Sequence, residues 1–316
     1  MRRASVSKTA GRRPGVRAIL LSGACAAFAW AIGPALAGGP GGSGGQSGNT
    51  SDNGFTLTGV IRDFRERQVP GGHPDFERRP DAGFGHYMGN VAMALDADGK
   101  PAYTGAGNKV ASQWTDSAGN AIHPAYFDAS KGDIAGSLGV ADGGGVQDAQ
   151  SFSQWFRDVP GVNMSGPFSI DLQFDEGRGV WIFDDRLDTH FARMGGFFAI
   201  NGNGFGNSQG GNRNFHFTYE IDTEFVYQAG ENDFFKFRGD DDVWVFINGQ
   251  LVIDIGGVHG VVEQVVHLDR LGLTDGQMYD LKFFFAERHR TQSNFRIETS
   301  FPLRSGNLPA TSAMYD

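Results

Sequence analysis

The sequence predicts an all-β protein, an antiparallel β-sandwich with long irregular loops. Three observations carry this expectation. Glycine supplies 48 of the 316 residues, about twice the usual share of roughly 7%, and phenylalanine another 27. That pairing suits short aromatic-rich strands joined by glycine turns. From Pro167 onward, short alternating or wholly apolar stretches follow one another almost without a break. No strand–helix–strand alternation appears, so the strands should pair antiparallel and stack as two sheets.

The chain opens on a segment that does not belong to that fold. Arg2, Arg3, Lys8, Arg12, Arg13 and Arg17 form a basic start, Ala18 to Ile32 is apolar, and Ala35-Leu36-Ala37 is a small-residue cleavage site. Residues 1–37 therefore read as a secretory signal peptide, its apolar core too short for a first reading as a membrane span. The expected location is secreted, extracellular or at the cell surface. Arg12-Arg13 leaves both the general secretory and the twin-arginine route open. Cys25, the only cysteine, lies in this segment, so the mature chain would lack disulfides. Its rigidity must come from a large core, a bound metal, or both. Cleavage removes six basic residues, leaving 27 − 6 = 21 against 36 acidic ones, a net charge of −15. That balance argues against nucleic acid and anionic membrane surfaces as partners, and no membrane insertion is expected.

Residues 38–54 are nearly all Gly, Ser, Asn and Gln, and read as a flexible linker. A single domain is expected over 55–303, followed by a short tail, 304–316. Phe55 to Phe64 alternates as a first strand. Arg65 to about Gly145 has turn signals, little period and scattered aromatics (among them Phe84), and reads as long loops laid over the sandwich. Ser151 to Asp158 reads as a short helix capped by Ser151. Strands are then expected at Phe168–Phe174, Gly179–Phe183, Gly196–Ile200 and Phe215–Tyr227, the odd positions of the last facing the core. Further strands follow at Phe234–Phe237, Val261–Leu268, Tyr279–Ala286 and Phe295–Phe301.

Between them lies the stretch with most chemistry, Phe237 to Gly260. Asp240, Asp241 and Asp242 run into an apolar strand, Asn248-Gly249 turns the chain, and a second apolar strand returns. Asn-Gly suits a two-residue turn because both central positions need positive φ. The predicted register pairs Ile247 with Gln250, Phe246 with Leu251, Val245 with Val252, Trp244 with Ile253 and Val243 with Asp254. It brings the Gly256–His259 turn beside the three carboxylates. Crowded carboxylates repel, and a hard cation with oxygen ligands relieves them.

The sequence Gly239 to Gly249, with Leu251 to His259, resembles the fibro-slime domain. So do Thr58–Phe64, Arg157–Asn163, Asn214–Phe217, Phe284–His289 and Ser293–Glu298, in the same order along residues 55 to 302. That domain in turn resembles the protective-antigen-type β-sandwich of flocculins and other calcium-dependent adhesins. The resemblance implies a Ca²⁺ held by Asp240 and Asp241 across a cis peptide bond, with Asn294 as a ligand from a second loop, Glu287 to Asn294, where Gln292 and Glu287 are reserves. Neighbouring side chains of an extended chain point to opposite faces, so a cis bond is what lets both carboxylates meet one ion. Asp242 stands where those lectins commonly have glycine.

The same resemblance makes Asp240, Asp241, Asp242, His259, Arg288 and His289 the expected sugar contacts. For His259 a buried or turn-stabilising hydrogen bond is the default over direct metal ligation, since Ca²⁺ prefers oxygen. Trp114, Trp155, Trp181 and Trp244 could stack on a sugar, with core packing the default. Asn163-Met164-Ser165 matches a glycosylation sequon. The expected function is Ca²⁺-dependent carbohydrate binding in adhesion, the partner a cell-surface or matrix carbohydrate. The alternative is a structural matrix or coat protein, contacting extracellular matrix proteins, whose metal only stabilises the fold. The clustered aspartates suit one ion better than an acid and base on opposite sides of a glycosidic bond, so no enzyme is expected.

Overall fold

The computed structural model describes residues 54–305; the expected leader, the linker up to Asn53 and the tail beyond Ser305 lie outside them. The alternating stretches form strands. The first is β1 (Gly54–Phe64). The stretch read as loops carries five short strands, β2 (Tyr87–Met88), β3 (Asn108–Ser112), β4 (Trp114–Thr115), β5 (Ala121–Ile122) and β6 (Ser137–Ala141). Helix α1 (Ala149–Ser153) follows, then β7 (Asn163–Asp175), β8 (Val180–Asp184) and helix α2 (Thr189–Met194). The second half holds β9 (Phe217–Val226), β10 (Phe234–Asp240), β11 (Asp242–Ile247), β12 (Gln250–Ile255), β13 (Val262–His267), β14 (Met278–Glu287), β15 (Asn294–Thr299) and β16 (Arg304–Ser305). The last lies in the expected tail, yet it pairs with Glu224 and Thr223 of β9.

Two local expectations need correction. The cap of α1 is Asp148, not Ser151. The Ser151 N–H donates to the Asp148 carboxylate (2.8 Å) and the Asp148 N–H to the Ser151 hydroxyl (3.3 Å), a reciprocal capping box. Gly196–Ile200 forms a turn rather than a strand. Gly195 closes α2 with φ of +80°, which turns the chain away from an extended path. Phe197 still reaches the core, its ring stacked 4.4 Å from Phe295.

Thirteen strands form one sheet, in the order β12-β11-β14-β9-β1-β7-β8-β15-β10-β13-β5-β4, with β16 also on β9. The sheet folds over on itself. Phe237 of β10 and Phe295 of β15 lie 5.5 and 5.4 Å from Phe283 of β14, and Phe295 lies 5.1 Å from Phe285. These strands are remote in the sheet order, so their rings meet across the core of a two-layer sandwich. The eleven-residue pairing of β1 with β7 joins the layers. β2, β3 and β6 form a separate small sheet.

The outer face of β11 and β14 is covered as well. Trp244, Phe246, Phe284 and Ala286 pack against Phe152, Trp155 and Phe156 from the α1 region and against Val91 and Val146. On β9 the odd residues Phe217, Tyr219, Ile221 and Phe225 are buried inside as expected. Glu220 on the opposite face is buried too, paired with Arg62 (3.0 Å) and Lys100. A carboxylate there survives burial because two cations meet it.

The hairpin register follows expectation for two pairs and then slips. Ile247–Gln250 and Phe246–Leu251 pair as predicted, but Val245 pairs with Ile253, Trp244 with Asp254 and Val243 with Ile255. Val252 is the extra residue of a β-bulge, which adds one residue to one strand only. The slip puts Asp254 across from Trp244, whose indole N–H donates to it at 3.0 Å. Its other oxygen accepts from the Gly89 N–H at 2.7 Å.

Candidate functional site

The site forms where β10 ends and β11 begins. Asp240 is the last residue of β10 and Asp242 the first of β11, and the Asp240–Asp241 peptide between them is cis. Pairing of β10 with β15 sets Asp240 across from Asn294. The Asn294 N–H donates to Asp240 Oδ1 (2.5 Å) and its side-chain amide to Oδ2 (2.9 Å). Asp241 receives backbone N–H groups from two loops, His259 at 3.2 Å and Arg288 at 3.3 Å. The Gly256–His259 turn thus lies beside the carboxylates. The slipped register preserves this, since the bulge shifts the pairing by only one residue.

Glu287 completes the cluster. It ends β14 next to Asp241 and is fully buried. Neither of its carboxylate oxygens has a hydrogen-bond partner of ordinary geometry among the described residues. Burial, then the charges of Asp241 and Asp240, push its pKa well above the usual carboxylate range. Burial and the adjacent Asp242 raise Asp241 in the same way. Asp240 is raised by burial, against the opposing effect of Asn294. Asp185, whose Oδ1 accepts the Phe295 N–H at 3.1 Å, is pushed up to about 6, chiefly by burial. Such a group of oxygens takes up protons or a hard cation. Asp240, Asp241 and Glu287 are the candidates to hold an ion, but their oxygens do not all lie within 4.8 Å of one another and would have to draw together to do so. Asn294 Oδ1 accepts from Arg186 at 2.8 Å, so it reaches an ion only when that bond gives way.

Two expected sugar contacts lie elsewhere. Asp242 and Arg288 are both fully buried and paired with each other. Asp242 shares the outer face of the sheet with Trp244, where it also accepts the Gly257 N–H at 2.6 Å. The Arg288 guanidinium donates to the carbonyls of Gly144 (2.6 Å) and Gly145 (3.2 Å) and stacks 5.2 Å from Trp155. The residue in the glycine position of the lectin pattern therefore anchors the 65–145 segment and makes no contact with solvent.

His259 and His289 line a pocket of about 220 Å³ with Asp240 and Asp241. The His259 ring has Nδ1 2.7 Å from Gly260 O and Nε2 buried with no hydrogen-bond partner among the described residues, and burial lowers its pKa to about 3. His289 Nε2 lies 3.3 Å from Glu77, and its ring meets Phe84 at 4.8 Å. Gln292 and Phe84 line the same pocket, whereas none of the four tryptophans does. Trp155 and Trp244 are core residues, 0% exposed. Asn163 is 8% exposed and its amide donates to Gln154 O and Arg157 O, a structural use of that sequon.

Phe84, Glu77 and Arg186 were not legible as site residues. The Gly85 N–H donates to Val258 O (2.8 Å) and the Tyr87 N–H to Gly256 O (2.6 Å), pairings that carry Phe84 to the pocket rim. No local period announces them. Among the described residues, the one group of three whose possible ligand atoms all lie within 4.8 Å of one another is Glu66, Glu77 and His216. Arg290 already pairs with both carboxylates there, reaching Glu77 at 3.1 Å, and supplies the positive charge.

Residues 206–308 match the PA14 domain, a segment that contains Asp240, Asp241, Glu287 and Asn294. Among individual relatives the chain is similar to the psi proteins of Dictyostelium discoideum. Protein psiR is 33% identical over 267 residues, covering 80% of this chain and 22% of psiR. Protein psiC is 30% identical over 270 residues, covering 83% and 42%. Protein psiQ is 40% identical over 171 residues, covering 50% and 16%. The chain thus spans less than half the length of these relatives. Of solved structures, the PA14 domain of the MpAFP antifreeze protein is matched at 10% identity over 83% of this chain and 89% of that one, with a TM-score of 0.24. A Kluyveromyces marxianus β-glucosidase in complex with glucose is matched at 14% identity over 28% and 11%, with a TM-score of 0.21.

Proposed function

We propose that residues 55–303 form one fibro-slime-type domain that binds carbohydrate through a calcium ion, and that the protein is an exported adhesion module, not an enzyme. The observation that carries this reading is the buried Glu287 carboxylate next to Asp240 and Asp241, without a hydrogen bond of ordinary geometry among the described residues. Three carboxylates without a matching cation invite a hard divalent ion, and calcium accepts such oxygen-rich, irregular ligand sets. Asp240, Asp241 and Glu287 would hold the ion, with the Asn294 amide oxygen joining once Arg186 releases it. The pocket above is about 220 Å³, smaller than the ~300–1,000 Å³ typical of drug-sized sites. It suits one sugar residue whose vicinal hydroxyls complete the coordination of the ion. The PA14 match over the site residues supports a carbohydrate as the partner.

The test is a glycan array probed with calcium and with chelator. Binding that disappears with chelator, and with Asp240→Asn, is expected. No calcium-dependent glycan signal, alongside a calcium-induced rise in melting temperature, would favour the structural matrix reading.

A further inference from the structure

The cation site is acidic, but the pocket rim is not. Phe84 is 44% exposed and lines the pocket that contains Asp240 and Asp241. The Arg79 guanidinium lies 5.2 Å from the centre of the Phe84 ring. It has no ion pair or hydrogen bond among the described residues. Lys109 reaches the same loop, donating to Ala82 O at 3.2 Å. A Cβ built on Gly83 would lie 3.9 Å from both Arg79 Nη2 and Lys109 Nζ, so both cationic ends gather beside Phe84.

Nearby acids do not neutralise them. Asp142 is committed to the N–H groups of Ala82 (2.5 Å) and Gly144 (3.0 Å), and Asp81 forms no ion pair among the described residues. Arg290, which also lines the pocket, is bound to Glu66 and Glu77. Arg79 and Lys109 stand outside the residues that line the pocket, and their unspent positive charge lies behind Phe84. An anion there would gain charge-assisted hydrogen bonds, with a planar fork from Arg79 suited to a carboxylate or sulfate.

We infer that the ligand is an anionic sugar, whose carboxylate or sulfate ester meets Arg79 and Lys109 while its apolar ring face lies on Phe84. This rests on the carbohydrate-binding reading above, which places the sugar hydroxyls at the Asp240–Asp241 cation.

The experiment is calorimetric titration of the full chain in calcium with three methyl glycosides: galacturonic acid, sulfated galactose and neutral galactose. At least one acidic glycoside should bind about tenfold more tightly than the neutral one, the size of one charge-assisted bond. The tighter of the two acidic arms identifies the anion. Arg79→Gln should remove that preference and leave neutral binding within about twofold, whereas Arg79→Lys should retain part of it. Asp240→Asn should bind none of the three. Equal or tighter binding of the neutral glycoside overturns the inference while leaving calcium-dependent carbohydrate binding intact. An Arg79→Gln variant that weakens acidic and neutral sugars alike overturns it too. Absence of calcium-dependent binding in every arm overturns the carbohydrate reading and this inference together.

Discussion

Glu287 differs from most buried carboxylates in having, among the described residues, neither an ion pair nor a hydrogen bond of ordinary geometry to offset its desolvation. Replacing it with a neutral amide should help the metal-free protein. Glu287→Gln is expected to raise the melting temperature in chelator by a few degrees and to abolish the rise caused by calcium, both measurable by scanning calorimetry. Asp254 is a buried acid of another kind. Trp244 and Gly89 both donate to it, yet burial still raises its pKa to about 7. Its folded pKa lies above its unfolded value near 4, so the folded state holds the proton more tightly. The stability this confers is present below pH 4 and lost as pH rises through 7. In urea titrations, the stability of the parent relative to Asp254→Asn should therefore fall by a few kcal/mol between about pH 4 and pH 7. A pH-independent difference would refute this. Signals for the aspartates were strong in the sequence, since three in a row before an apolar strand are hard to bury. Nothing in the sequence marked Phe84, because its place at the rim depends on backbone pairing with residues 256–258.

Among elements, the junction of β10 with β15 joins stability to the site. Gly239 lies one residue before Asp240, and a Cβ there would overlap the Asn294 carbonyl oxygen and crowd the Phe237 ring. Gly239→Ala should lower the melting temperature and calcium affinity together, because separating β10 from β15 moves Asn294 away from Asp240. The outer face of β11 and β14 behaves differently. Arg288 neutralises Asp242 in the interior and ties the sheet to the carbonyls of Gly144 and Gly145. Arg288→Met leaves a buried charge unpaired and should cost about 3–5 kcal/mol in equilibrium unfolding. Asp242→Asn combined with Arg288→Met should cost clearly less than Arg288→Met alone. If the two costs simply add, the pair is not coupled as described. The hairpin itself was legible from Asn248-Gly249 and the apolar runs around it. The bulge at Val252 was not, because an inserted residue changes the register without changing the composition.

For the whole molecule, a cation that binds only the folded state stabilises it by mass action. At a calcium concentration about 100-fold above Kd the gain is roughly 2.7 kcal/mol. For a domain of this size that corresponds to a rise of about 5–11 °C in melting temperature. Chelator should reverse it, and Asp241→Asn should show no rise. No helix among the described residues is long and apolar enough to cross a membrane. The 65–145 segment, read from the sequence as loops over a sandwich, joins the α1 region in covering the outer face of β11 and β14 and supplies Phe84 to the pocket. Aperiodic chain of this kind gives no signal of where it docks, since its partners lie more than a hundred residues away.

By itself the sequence determined most of the long strands, the all-β class and the stretch at which the acids would crowd, but not the five short strands of the 65–145 segment or the parallel pairing of β5 with β13. Alternation and turn chemistry are local properties, written in neighbouring residues. The family resemblance already singled out Asp240 and Asp241; only the tertiary structure decided that Asp242, expected with them as a sugar contact, turns away from the pocket. Asp240 and Asp241 meet Asn294 and the two loop N–H groups, while Asp242 turns to Arg288 on the opposite side of the sheet. That choice depends on which buried partner lies on each face, and strands far apart in the chain supply those partners.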